Sequence, residues 1–89
     1  MIQIDYHQKF LKSYVKRIKP NQKLDFVFRK RIQQFCLDPH CPQLHNHQLT
    51  GKLKNLYSFS INGDIRLIYQ WINNDTVLFL DIGSHNQVY

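Results

Sequence analysis

Two histidines well apart in the chain, His47 and His85, are the side chains best suited to move protons near neutral pH. Between and beyond them lie Lys52, Lys54, Ser58, Ser60, Asp64, Arg66, Asp81 and, at the last position, Tyr89. Imidazoles accompanied by fixed cations suit cleavage of an RNA phosphodiester without a metal. One group takes the proton of the ribose 2′-hydroxyl, another protonates the leaving 5′-oxygen, and positive charge stabilises the crowded phosphorane. An aromatic ring such as Tyr89 can stack on a displaced base. Each residue also has a plainer reading. Arg66 and Asp81, on adjacent strands, would make an ordinary cross-strand pair worth under about 1 kcal/mol. His40 and His45 are solvated loop residues, His85 a hydrogen-bonded residue near the chain end, Lys52 and Lys54 exposed cations, and Tyr89 a frayed terminus. Cys36, Cys41, His45 and His47 have the right atom types for zinc. They crowd into one short loop without a Cys-x2-Cys arrangement, so no metal site and no cofactor are assigned.

The last third of the chain must position most of these groups. Tyr57, Phe59 and Ile61 alternate with Ser58 and Ser60, which gives a strand with one apolar side. Ile65, Leu67, Tyr69 and Trp71 alternate in the same way around Arg66, Ile68 and Gln70. To bring both apolar sets to one core, Ile61 should face Ile65, making Asn62-Gly63-Asp64 a three-residue connection rather than a two-residue Asn-Gly turn. Strict alternation then assigns Leu78, Leu80 and Ile82 to the core and places Val77, Phe79 and Asp81 on the other face, beside Arg66.

Upstream, Ile2, Ile4 and Tyr6 mark a short strand, followed by Asp5 or His7 as a helix cap and by Phe10, Leu11, Tyr14, Val15 and Ile18 at helical spacing. After Pro20, Asn21 can cap a second helix with the stripe Leu24, Val27, Phe28, Ile32 and Phe35, which ends before Asp38-Pro39. A polar loop from Pro39 to Thr50 brings His47 toward the sheet. The expected fold is α+β, in the order β-α-α-β-β-β. It has an antiparallel four-stranded sheet, a two-helix hairpin on one face and no covering element on the other.

The 89 residues make a single domain, 1–89. Glutamate is absent, the formal charge is +6, and nine of the twelve Lys and Arg residues lie between Lys9 and Arg31. Such a balance points to a polyanion or an acidic protein partner, or more plainly to a solubilising surface. No apolar run approaches spanning length and no signal-peptide pattern opens the chain, so the expectation is a cytoplasmic protein with reduced thiols and no membrane partner.

Several segments, in order, resemble the RelE/ParE toxin superfamily, and within it the YafQ-like messenger-RNA interferases of type II toxin–antitoxin systems. They are His47-Gln48-Leu49-Thr50-Gly51, Tyr57-Ser58-Phe59-Ser60-Ile61, Gly63-Asp64-Ile65-Arg66-Leu67-Ile68-Tyr69 and Leu80-Asp81-Ile82-Gly83-Ser84-His85-Asn86-Gln87-Val88-Tyr89. The resemblance implies a ribosome-dependent endoribonuclease that needs no metal and is neutralised by a cognate antitoxin, an assembly that can extend to a heterotetramer. It implies catalytic roles for His47, His85, Asp64, Arg66 and Tyr89, with Asp64 orienting an imidazole and Arg66 on the scissile phosphate. Lys52, Lys54 and Ser60 fall to RNA binding. Ser60 stands where YafQ-like enzymes have a further histidine, and Ile65 where they have tryptophan. Two other readings share the fold: a ParE-like toxin that acts on DNA gyrase without cleaving RNA, and a degenerate toxin that only binds its antitoxin.

Overall fold

The computed structural model describes residues 1–89. Its strands are β1 (Gln3–Tyr6), β2 (His47–Gln48), β3 (Tyr57–Ser60), β4 (Ile65–Trp71) and β5 (Thr76–Ser84), and its helices are α1 (Gln8–Arg17), α2 (Gln22–Leu37) and α3 (His85–Val88). Short 3-10 turns occupy Pro42–Leu44 and Gly51–Leu53. The helix boundaries follow local chemistry. His7 Nδ1 accepts the backbone N–H of Lys9, and the Asn21 side chain accepts that of Leu24, so each cap satisfies an otherwise orphaned donor. Helix α2 stops where Asp38, ahead of Pro39, turns extended.

The sheet has five strands in the order β1-β5-β4-β3-β2. Four strands, all antiparallel, were expected; instead β1 lies parallel to β5, the short β2 adds a fifth strand beside β3, and α3 adds a third helix. Alternation reveals that a segment is a strand but not which way it runs. The direction of β1 is set by its immediate continuation through His7, whose N–H donates to Phe79 O, into α1 against β5.

The β3–β4 hairpin has the expected register. Ser60 pairs with Arg66, the Ile61 N–H donates to Ile65 O, and Asn62 Oδ1 accepts the N–H groups of both Asp64 and Ile65. That Asx turn makes three connecting residues sufficient.

The third strand departs from strict alternation. Ile68 pairs with Asp81 but Tyr69 with Phe79, so Leu80 is the extra residue of a β-bulge. Val77 and Phe79 are therefore fully buried in the core together with Ile82, whereas Leu78 and Leu80 are only half-buried. The assignment of Leu78 and Leu80 to the core is corrected accordingly. The reason is aromatic packing. Phe79 lies 5.4 Å from Phe10, 6.1 Å from Phe35 and 6.2 Å from Phe59, centroid to centroid, and Phe35 stacks on Phe59 at 4.6 Å. Each such pair contributes roughly 0.5–1.5 kcal/mol beyond area burial.

On α1 the inward positions are Phe10 and Ser13, joined by Ile18 just past its end, whereas Leu11 and Val15 face solvent. The two long helices also meet through a polar contact, in which Tyr14 Oη donates to Asp25 Oδ1 at 2.6 Å. That hydrogen bond, aided by Arg29 at 3.1 Å, holds the Asp25 carboxyl below its usual range. A lowered folded-state pKa contributes stability above the unfolded value of about 3.9, and that contribution is lost as pH falls through the folded value. Tyr14→Phe is expected to flatten the loss of stability between about pH 4 and pH 2 in denaturant titrations. An unchanged acid slope would show that the Tyr14 bond does not govern this carboxylate.

Candidate active site

Pairing across the sheet sets two neighbouring rows of side chains on the face turned away from Phe59, Leu67 and Ile82. One row runs His47, Ser58, Ile68, Asp81, and the next runs Ser60, Arg66, Gly83. This face was expected to be open. Instead α3 and Tyr89 lie across it, and Ser58 is fully buried. The Tyr89 hydroxyl donates to Ser58 Oγ at 2.7 Å, so the last side chain is anchored rather than frayed. The Tyr89 ring meets the His85 ring edge-on, 4.4 Å between centroids. His47 is the β2 neighbour of Ser58 in register, which places their Cβ atoms roughly 5 Å apart. Ser58 thus links the two exposed imidazoles, His47 as its register neighbour and His85 through the tyrosine that the serine fixes to the sheet.

The local sequence explains how each is held. Helix α3 starts at His85 because Ser84 is extended and its N–H donates to Gln87 Oε1 at 2.7 Å. The Ser84-x-x-Gln87 spacing is a capping signal that the sequence reading passed over. Gly83 lies close beneath it: a Cβ there would come to 2.7 Å from Arg17 Nη1 and Gln87 Oε1 and 3.1 Å from Gln87 Cβ, so these side chains would have to shift.

His47 is positioned by its own loop. Its Nδ1 lies 2.9 Å from His45 O, and since a carbonyl only accepts, Nδ1 carries the proton. In the neutral ring Nε2 is then the free acceptor. The loop is tied to the sheet by Asn46, which donates to Pro39 O and accepts from Tyr69 Oη, each at 2.8 Å. Burial pushes the Tyr69 hydroxyl up to about 12, so it remains a donor at any physiological pH. Nothing in the sequence reading singled out Asn46 or Tyr69 for this task.

The remaining expected residues divide. Ser60, almost buried, and Arg66 are register partners. Arg66 Nη1 donates to Asn62 O at 2.9 Å, and its β5 neighbour is Gly83, so it does not pair with Asp81. Asp81 instead lies 3.5 Å from both Lys9 Nζ and Arg17 Nη1, and Arg17 also donates to Ile82 O, so the buried carboxylate clamps α1 to the sheet. Lys52 and Lys54 are exposed on the turn between β2 and β3. Asp64 is exposed in the hairpin turn, in a cleft with Lys23 and Asn21, and no hydrogen bond or ion pair joins it to an imidazole. The expected imidazole-orienting contact is therefore not made. Cys36 and Cys41 are free thiols, and no three His, Cys, Asp or Glu side chains are gathered as a metal site.

A family profile described as "Bacterial toxin of type II toxin-antitoxin system, YafQ" matches residues 2–89. The chain belongs to this family. Among solved structures it is similar to a metal-bound toxin from Helicobacter pylori, 26% identical with all of both chains covered and a TM-score of 0.76. It is also similar to YafQ from E. coli strain BL21(DE3), 22% identical over 100% of this chain and 99% of that one, with a TM-score of 0.70. The E. coli DinJ-YafQ toxin-antitoxin complex contains a chain 17% identical, covering 99% and 97%, with a TM-score of 0.72. No curated protein matches the chain.

The packing under α3 yields a direct test. Gly83→Ala is expected to displace Gln87 and loosen α3, raising amide hydrogen exchange at Tyr89, whose N–H donates to His85 O. Exchange in β4 should stay slow. Unaltered exchange at Tyr89 would mean that Arg17 and Gln87 swing aside without disturbing the helix.

Proposed function

We propose that this type II toxin is an endoribonuclease that cleaves messenger RNA on the ribosome by metal-independent attack of the 2′-hydroxyl. The observation that carries the reading is the chain of neighbours His47, Ser58, Tyr89, His85, in which a buried serine beside His47 fixes the tyrosine against which His85 rests. His47 serves as the general base. With Nδ1 donating to His45 O, its Nε2 accepts the 2′-hydroxyl proton. His85 serves as the general acid and protonates the 5′-oxygen as the P–O bond breaks, leaving a 2′,3′-cyclic phosphate. Arg66, on the adjoining row, supplies positive charge to the phosphorane. Tyr89 is 42% exposed, which leaves ring surface for a base to stack on while its hydroxyl holds Ser58. Lys52 and Lys54 meet the RNA backbone. Asp64 has no imidazole to orient, so its contribution is confined to the field of the turn.

The partner that silences such a toxin is a cognate antitoxin. The basic face of α1 and α2, with Lys9, Lys12, Lys16, Lys19, Lys23 and Lys30 exposed, suits an acidic segment of that protein. The place of action is the cytoplasm, where messages are translated.

Primer extension on messages after brief induction tests this reading, with His85→Ala and Arg66→Ala in parallel. The wild type should give discrete in-frame breaks, and His85→Ala should reduce them by about 10²-fold or more, the usual loss on removing a proton-transfer group. Growth arrest with intact messages would point to a ParE-like action on gyrase. No arrest at all would leave only antitoxin binding.

A further inference from the structure

Beside the two-histidine centre lies a second, strongly polar cleft of about 250 Å³. Arg31, Gln43, His45, Ser60, Gly63 and Arg66 shape it, and Ile61 contributes its one apolar wall. Three features mark it out. First, two guanidiniums from different elements, Arg31 on α2 and Arg66 on β4, open into it without any carboxylate. The chain's three ion pairs involve Lys9, Arg17 and Arg29 only. Second, both arginines are fixed by neutral acceptors that leave their charge uncompensated. Arg31 Nε donates to Ile61 O at 3.1 Å, and its Nη1 to Gln34 and Gln43 at 2.8 and 3.1 Å. Arg66 uses only Nη1, toward Asn62 O and Ile65 O. Donors on Arg31 Nη2 and on Arg66 Nε and Nη2 stay free for an anion. Third, His45 is held at φ +50, left-handed backbone that a side chain other than glycine rarely adopts, and it turns into this cleft while its carbonyl holds His47.

We infer that this cleft is a seat for a phosphodiester of the RNA strand next to the one being cut, with Arg31 and His45 as binding residues beside Arg66. The inference rests on the nuclease reading for the identity of the strand. The geometry suits that role. Ser60, in the cleft wall, lies two residues along β3 from Ser58, roughly 7 Å away, a step comparable to that between successive phosphates of an extended strand. Planar guanidiniums recognise phosphate oxygens in pairs. An imidazole at the rim adds a hydrogen bond. Arg31 and His45 would thereby fix the register of the RNA across His47 and His85 without taking part in the chemistry, with Arg66 standing between the seat and the scissile phosphate.

The probe is a short RNA carrying 2′-deoxy sugars, which resists in-line cleavage, titrated at several salt concentrations alongside inorganic phosphate alone. Gly63→Asp places a carboxylate in the cleft, where an added Cβ meets nothing within 4 Å and the backbone is not left-handed. It is expected to weaken oligonucleotide binding about tenfold and to reduce the slope of log K against log salt by roughly 0.7. Arg31→Gln should do the same, with Arg31→Lys retaining the slope. Inorganic phosphate should move the amide resonances of Gln43, His45 and Gly63 in the wild type and not in Gly63→Asp. Unchanged affinity and slope in Gly63→Asp would overturn the seat, even if Arg31→Gln fails to fold. The two readings separate cleanly. Loss of binding in Gly63→Asp without message cleavage by the wild type keeps the seat and sinks the nuclease. Cleavage by the wild type with an unaltered slope in Gly63→Asp does the reverse.

Discussion

Strand β5 has to satisfy more neighbours than a regular strand can. It pairs with β4 on one side and, over Thr76 to Phe79, with β1 on the other, packs against α1 and leads directly into α3. Phe79 and Ile82 must both reach the core, three residues apart, which strict alternation forbids. The bulge at Leu80 resolves the conflict by adding one unpaired residue. Everything functional is downstream of that choice. It sets Asp81 where Lys9 and Arg17 can clamp it, Gly83 beside Arg66, and Ser84 at the start of the helix that carries His85 and Tyr89. Without the extra residue the final segment would be delivered to the core side, and the tyrosine could not reach Ser58.

What the sequence made legible follows from this. The helix caps His7 and Asn21, the end of α2 at Asp38-Pro39 and the three-residue turn at Asn62-Gly63-Asp64 are local decisions, and local chemistry announced them. The direction of β1 and the bulge in β5 are settled by packing between elements distant in sequence, so alternation alone misassigned Val77, Leu78, Phe79 and Leu80. The candidate site shows the same division. His47, His85 and Tyr89 stood out by type and spacing. The groups that hold them did not, because Ser58, Asn46, Tyr69 and Gly83 look like ordinary sheet and loop residues until the chain is folded. Asp81 erred in the other direction: it resembled a site residue but is structural.

Charge is also partitioned in a way that composition conceals. The six aspartates are few against twelve Lys and Arg residues, yet two of them are already engaged in holding the helices, Asp25 with Tyr14 and Arg29, and Asp81 with Lys9 and Arg17. The fold therefore consumes acidic groups at its helix seams and leaves the β3–β4 end of the molecule with Arg31 and Arg66 unneutralised. Such a surface is poised for a polyanion, since an incoming phosphate meets fixed guanidiniums that need not first release a carboxylate.

A short chain of this kind cannot enclose an active site, since a core of eleven residues leaves no room for a polar cavity inside it. The alternative is to prepare exposed groups from beneath. A backbone carbonyl fixes the tautomer of His47, and a buried hydroxyl fixes the ring against which His85 rests. Both imidazoles stay exposed to water. What such a surface lacks is exclusion of solvent and a rigid grip on the substrate. Under the proposed reading the ribosome would supply both from outside, because the translating particle already holds the message in an extended path. The economy of this site, two supported imidazoles and a few uncompensated cations, accords with the proposed reading, in which the substrate arrives already positioned.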